Sequence, residues 1–286
     1  MQRVSGPTVT VIVPLKHYEV RLLRACFASL FAQTSAHWRC IVVVEPADAE
    51  SFRDVLAAEL RDSRITFATN EGRKLAGAIN TGIRSAETAF VALLLGDDLW
   101  SEDAVAVLTR AIESRPEVDF FHSSLRIIEA DGTPCGGIVP SREHFTLDDF
   151  VRGSPVKHLL CFRRAFALAL GGLDESLDRV GPDDYDFPWT MAEHGARFHA
   201  VPECLYIYRD HREGYRLTTH LPRSVHSRQL VKIMRKHGVS WRRTLTQVLE
   251  FRRGYLRQCL FRNAAHKWLS ELVGYDARAG WRETTR

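Results

Sequence analysis

No stretch of eighteen apolar residues occurs in this 286-residue sequence, so no membrane-spanning helix is expected. The opening segment, Met1 to Pro7, has no apolar core of the kind a secretory leader carries. Cysteines are few: Cys26, Cys40, Cys135, Cys161, Cys204 and Cys259 are scattered and never in C-x-x-C spacing. That argues against a zinc site and against a redox pair, and a reduced cytoplasmic protein is the simplest expectation. Glycine is missing where two common nucleotide sites need it. The first β-branched run ends in Pro14-Leu15-Lys16-His17, with neither the G-x-G-x-x-G of a dinucleotide fold nor the G-x-x-x-x-G-K of a P-loop. There is no internal repeat and no low-complexity tract.

What is present is an alternation of buried strands and amphipathic helices. Val9 to Val13 is a β-branched strand; Leu22, Leu23, Cys26, Phe27, Leu30 and Phe31 then recur at helical spacing. Cys40 to Val44 is a second strand ending at Glu45-Pro46, followed by a helical pattern from Asp48 to Leu60. Ile65 to Ala68 is a third strand, Asn70 to Arg73 a turn, and Lys74 to Ala86 a helix. This β-α-β-α-β-α-β order predicts an α/β fold with a mostly parallel central sheet flanked by helices. Its centre is Phe90 to Leu95, an apolar run that breaks at Gly96 into Asp97 and Asp98. In open α/β sheets ligands bind at the carboxyl ends of strands, and two adjacent carboxylates there suit a divalent cation. An ordinary polar turn capping the next helix is the competing reading.

Beyond Trp100, which either stacks on a sugar or fills the core, a helix over Glu102–Ser114 and a strand over Asp119–Arg126 are expected. A hairpin turn at Glu129–Thr133 precedes a loop-rich stretch from Gly136 to Gly153, and a strand and short helix lie within Pro155–Leu170. Gly181-Pro182-Asp183-Asp184-Tyr185-Asp186 opens a helix that ends at His194-Gly195, and Ala196–Val201 and Leu205–Tyr208 are expected as short strands. A helix dipole favours one acid at its start more readily than three. Charge divides the chain: from Arg209 to Arg286 there are 18 Lys/Arg against 6 Asp/Glu, although the whole chain carries only +4.

In order, these pieces resemble the family 2 glycosyltransferases of the GT-A fold. The resemblance runs from about Val9 to His211 and rests on five motifs. They are Val9-Thr10-Val11-Ile12-Val13-Pro14; Ile41-Val42-Val43-Val44-Glu45; Asn70-Glu71-Gly72 with Ala78-Ile79-Asn80-Thr81-Gly82; Leu95-Gly96-Asp97-Asp98-Leu99-Trp100; and Asp183-Asp184-Tyr185-Asp186 followed by Gly195. It implies a catalytic domain over residues 1–208, with a nucleotide-sugar half to about residue 100 and an acceptor half beyond. Residues 209–286 then form a flexible loop and a basic helical extension. It further implies an inverting transferase that moves a sugar from a nucleoside diphosphate to a hydroxyl of a glycan or glycoconjugate. UDP is the expected nucleotide, with GDP or dTDP as alternatives.

The resemblance also assigns roles. Pro14, Glu45, Asn70, Gly72, Lys74, Asn80 and Asp97 fall on the nucleotide-sugar side. Asp97, Asp98 and His211 are expected to hold Mn2+ or Mg2+, and His211 is equally a solvated loop histidine. Asp184, with Asp183 before it, is expected as general base. Arg73 and Lys74 either touch the diphosphate or are ordinary surface charge. Two departures stand out: Leu95 occupies the first aspartate of the D-x-D-D motif, and Glu45-Pro46 replaces a pair of aspartates. A nucleotidyltransferase of related fold and a non-catalytic nucleotide-sugar binder are the alternatives. The basic extension suits an anionic membrane surface at the inner face, or packs its apolar side on the acidic catalytic domain. No nucleic-acid motif accompanies its charge.

Overall fold

The computed structural model describes residues 8–16, 19–177, 181–210 and 223–250. The chain falls into two compact units, Met1–His220 and Leu221–Arg286. The first opens as the periodicity predicts. Strands β1 (Val9–Leu15), β2 (Trp38–Val44), β3 (Ile65–Thr69) and β4 (Phe90–Leu93) alternate with helices α1 (Val20–Phe31), α2 (Ala49–Val55) and α3 (Lys74–Ser85). All of β1 and β4 and most of β2 are buried, because helices cover both faces of a parallel sheet. On α1 the buried residues are Leu22, Leu23, Cys26, Phe27 and Leu30, the spaced apolar set. Helix α3 lies very close to the sheet: a Cβ on Gly82 would stand 2.5 Å from Ile12, so only glycine allows that approach.

The remaining elements are β5 (Leu99–Trp100), α4 (Ala104–Ser114), β6 (Phe120–Glu129), β7 (Pro134–Val139), α5 (Leu147–Arg152), β8 (Leu160–Arg163), α6 (Arg164–Ala169), α7 (Phe187–Glu193) and β9 (Phe198–Asp210). One sheet runs through the unit in the order β3-β2-β1-β4-β8-β6-β9-β5, with β7 on β6. The β3-β2-β1-β4 block is parallel, as is β6 with β9; the pairings of β8, β7 and β5 are antiparallel. Trp100 is buried in the core.

Three local readings differ from expectation. The helix read over Asp48–Leu60 is shorter: α2 gives way to a 3-10 turn at Glu59–Arg61, where Arg61 N bonds Ala58 O in the tighter i→i−3 pattern. The stretch from Gly136 read as loop begins inside the edge strand β7. The two strands read at Ala196–Val201 and Leu205–Tyr208 are one, β9. Its register on β6 jumps from Ser123↔Val201 to Ser124↔Cys204, so Pro202 and Glu203 bulge out of the ladder. Pro202 has no N–H to donate, and its carbonyl accepts from Ser124 Oγ at 2.8 Å instead. The domain boundary expected after residue 208 falls within β9, where Arg209 is buried.

Of the second unit, α8 (Arg223–Lys236) and a helix over residues 241–250 are described. The loop expected after residue 210 and the basic helix beyond residue 250 lie outside the described residues. Among the described residues no helix is long and apolar enough to cross a membrane.

Candidate active site

The parallel strands β1, β2 and β3 end at one edge, with Leu15, Val44 and Thr69 in register. Pro14 is buried in β1 one residue from that edge, opposite Val43. Glu45 follows β2 and is half-buried; Asn70 follows β3 and is buried. Asn70 works as a clip. Its Nδ2 donates to Glu45 Oε1 at 3.0 Å and to Lys74 O at 3.1 Å, while its Oδ1 accepts from Gly72 N at 2.8 Å. One amide side chain thus aims Glu45 and shapes the 70–74 loop. Lys74 is exposed and has φ +59, a left-handed backbone that is uncommon for a side-chain-bearing residue and that its carbonyl's bond to Asn70 helps to hold. Gly72 is required by crowding: a Cβ there would lie 2.6 Å from Glu175 Oε1 and 2.8 Å from Gly77 Cα.

Asn80 meets this group through Glu175. Expected on the nucleotide side, it is buried under the 171–175 turn. Its Oδ1 accepts from Leu173 N at 2.8 Å, and its Nδ2 donates to Leu173 O and Glu175 Oε1, each at 3.0 Å. Glu175 in turn accepts from Arg73 N through Oε2 at 2.8 Å. A carboxylate from the distant turn therefore closes the loop that carries Gly72 and Lys74. Glu175 escaped the sequence reading because only its turn chemistry was visible.

After β4 the chain makes a turn closed by Asp98 N to Leu95 O at 3.0 Å, and here the adjacent acids part. Asp97 is half-buried at the turn. Asp98 is 1% exposed, with Oδ2 accepting from Tyr206 Oη at 2.7 Å and Oδ1 from Arg209 N at 2.6 Å. Asp98 was expected on the cation; here it faces inward, and each of its oxygens accepts a hydrogen bond from β9. Burial, and next the charge of Asp97, push the Asp98 carboxyl well above the usual carboxylate range, while those two hydrogen bonds pull the other way. Arg209 is also buried, its Nε donating to Asp97 O at 2.9 Å and its Nη1 to Glu129 O and Ala130 O. Leu95, in place of the motif's first aspartate, contributes backbone: its N–H donates to Tyr206 Oη at 3.3 Å, and its carbonyl also accepts from Cys26 Sγ at 3.5 Å.

The second acidic pair sits on a π-helical turn, Pro182–Asp186, that leads into α7. Gly181 starts it at φ +47, where a Cβ would meet Tyr185 Cβ at 2.7 Å. The turn separates Asp183, with an 8% exposed side chain, from Asp184, with a 45% exposed one. Burial, reinforced by the Asp184 charge, pushes Asp183 up to about 7. His158, buried just before β8, points its Nε2 between the two: Asp183 Oδ2 and Asp184 Oδ2 are each 3.9 Å away. Burial holds the His158 imidazole below its ordinary pKa, so it faces the pair as a neutral ring. That ring packs on Tyr206 at 5.0 Å between centroids. His158 and Tyr206 therefore link the Asp183–Asp184 turn to the Asp98 turn. No signal in the sequence singles out His158.

His211 lies outside the described residues. Among those described, no three His, Cys, Asp or Glu side chains converge on a point that could hold an ion. With Asp98 turned inward, the donor set at the β4 edge is the Asp97 carboxylate. One hard oxygen donor fits a Mg2+ or Mn2+ that takes its other ligands from phosphate oxygens and water, not one caged by protein alone.

A sheet built on a parallel β3-β2-β1-β4 block and completed by antiparallel partners, with acids at the ends of β2 and β4, is the frame of a GT-A transferase. The family model described as "Glycosyl transferase family 2" matches residues 10–154, just over half of the chain, and the chain belongs to that family. It is 37% identical over 186 residues to the UDP-Glc:alpha-D-GlcNAc-diphosphoundecaprenol beta-1,3-glucosyltransferase WfgD of Escherichia coli, covering 65% of this chain and 66% of that protein. It is 29% identical over 209 residues to the O-antigen biosynthesis protein RfbC of Myxococcus xanthus, covering 71% of this chain but 16% of that one. The chain thus spans about a sixth of the length of that relative. In fold it is similar to S. aureus TarS 1-349 in complex with UDP-GlcNAc, with a TM-score of 0.62 at 15% identity over 94% of this chain and 80% of that chain.

Proposed function

We propose that the chain is an inverting glycosyltransferase of polysaccharide biosynthesis that uses a nucleotide sugar. The observation that carries this reading is the 183–184 turn, which buries one carboxylate and leaves its neighbour at the surface. A half-exposed acid beside a buried one suits a general base. Asp184 takes the proton of the acceptor hydroxyl. The freed oxygen bonds to the anomeric carbon, and the bond from that carbon to the β-phosphate oxygen breaks, its electron pair leaving with the nucleoside diphosphate. One direct displacement inverts the anomeric centre.

On the donor side, Glu45, aimed by Asn70, accepts from the base or ribose, and the Lys74 ammonium faces the diphosphate beside Gly72 and the end of β1 at Pro14. Asp97, with His211 as the resemblance implies, would hold Mn2+ or Mg2+, which supplies Lewis-acid neutralisation of the diphosphate. UDP is the nucleotide named for WfgD and for the TarS complex, and we adopt it ahead of GDP and dTDP. The name of WfgD also specifies a sugar on diphosphoundecaprenol, and a lipid-linked glycan is the acceptor class we assign.

A thermal-shift panel of UDP-, GDP- and dTDP-sugars, with and without Mn2+, tests the donor assignment. UDP-sugars with Mn2+ are expected to raise the melting temperature most; a chain that no nucleotide sugar stabilises ends the reading. The acid pair makes a pH prediction. Above about pH 7 Asp183 is ionised and sets a second negative charge beside Asp184. As pH falls through about 7, Asp183 takes up a proton, the acid pair loses one of its negative charges, and turnover falls. Asp183→Asn should remove that acid limb from the kcat profile; an unchanged limb would show that the ionisation belongs to another group.

A further inference from the structure

The second unit carries a surface that the transfer chemistry does not use. In the helix over residues 241–250, Trp241, Leu245 and Leu249 are 56%, 53% and 55% exposed. A spacing of four places them in one stripe along the helix. Thr244 and Val248, beside that stripe, are buried, so the helix is held from one side and its apolar stripe is left outward. Elsewhere among the described residues, large exposed apolar side chains form no such run along one element: Val20 and Phe31 lie at opposite ends of α1, and Ile138, Leu147 and Leu168 on three separate elements. Isolated residues of that kind need no explanation, whereas three in a row do.

The surroundings of the stripe select its occupant. Arg242 and Arg243 follow Trp241, and Arg235 and Lys236 end α8; from residue 235 to 250 the single acid is Glu250. The Arg235 guanidinium lies 5.1 Å from the centre of the Trp241 ring while its Nη1 donates to Val239 O at 2.7 Å, which ties the indole to the basic corner between the helices. An apolar row headed by tryptophan and bordered by arginines matches an anionic bilayer. The apolar side chains enter the boundary between headgroups and acyl chains, and the guanidiniums bind lipid phosphates.

We infer that the 241–250 helix docks the protein on anionic phospholipid through Trp241, Leu245 and Leu249. The surface belongs to the C-terminal unit alone and stands whether or not the transferase reading does. Flotation of the full chain with phosphatidylcholine vesicles, with and without phosphatidylglycerol, tests it. The chain should float with the anionic vesicles at low salt and be released at about 0.5 M salt. Leu245→Ser with Leu249→Ser keeps every charge and should weaken partitioning about tenfold or more. Trp241→Phe should reduce the tryptophan emission change that anionic vesicles cause, and far-UV circular dichroism checks that each variant folds. Three outcomes overturn the proposal: no flotation with anionic vesicles at low salt; leucine variants that float like the parent; or a dimer that the leucine variants dissociate, which would give the stripe to a second copy of the chain.

Discussion

Asp184→Asn is expected to cut turnover about a thousandfold while leaving donor affinity within about twofold. The amide is isosteric with the carboxylate and cannot accept a proton at neutral pH, so the substitution removes the proposed base and little else. The fold should tolerate it, because the Asp184 side chain is 45% exposed and sits beside the neutral ring of His158. Single-turnover transfer measured alongside calorimetric titration of the donor separates the two effects. A variant keeping a tenth of the turnover, or one losing donor affinity as steeply as turnover, would move the base elsewhere. The same measurement separates the alternatives: a pure nucleotide-sugar binder shows no turnover in either protein.

Asp97→Asn and Asp98→Asn are expected to fail in opposite ways, although the residues are adjacent. Asp98 accepts from Tyr206 Oη and from Arg209 N in a fully buried corner. An asparagine keeps one acceptor and presents an amide N–H2 to the other donor. A buried donor then loses its partner, at a cost of about 1–3 kcal/mol. Because Tyr206 packs on His158, the disturbance should reach the acid pair as well. Asp98→Asn should therefore lower the melting temperature of the nucleotide-free protein by several degrees, about 2–4 °C per kcal/mol for a domain of this size. Asp97→Asn should leave that temperature nearly unchanged and raise the Mn2+ concentration needed for half-maximal stabilisation by a UDP-sugar about tenfold or more. Thermal melts of both variants, with and without donor and metal, read the contrast. If Asp98→Asn is thermally silent and Asp97→Asn unfolds the protein, the roles drawn from the hydrogen bonds are reversed.

Much of the fold was legible because its signals are local. The β-branched runs of β1 and β2, the spacing of Leu22, Cys26 and Leu30, and the break after β4 at Gly96 each declare themselves within a dozen residues. The family resemblance, built on those pieces, holds, and so does the expected fold class. Misreadings arose where neighbours in space outweighed neighbours in sequence. Pro202 read as the end of one strand and the approach to another, yet β6 pairs with both sides of it and simply extrudes two residues. The motif that carries Asn80 likewise gave no sign that the turn at Leu173 and Glu175 takes up its amide. The candidate site was legible as a set of acids and illegible as a geometry. Nothing in Asp97-Asp98 or in Asp183-Asp184 says which member turns inward, and His158 carried no mark at all.

The amino-acid order by itself determined the alternation of strands and helices, the faces they bury, and the gathering of carboxylates where β2 and β4 end. These follow from periodicity and from the chemistry of chain reversals, which act over a few residues. Tertiary structure alone decided how each carboxylate is held. Asp98 is held by groups 108 and 111 residues away, and Asn80 by a turn 93 residues away. The physical reason is that a buried acid settles where donors meet it, and those donors arrive on strands and turns whose position is set by packing, not by the residues beside it.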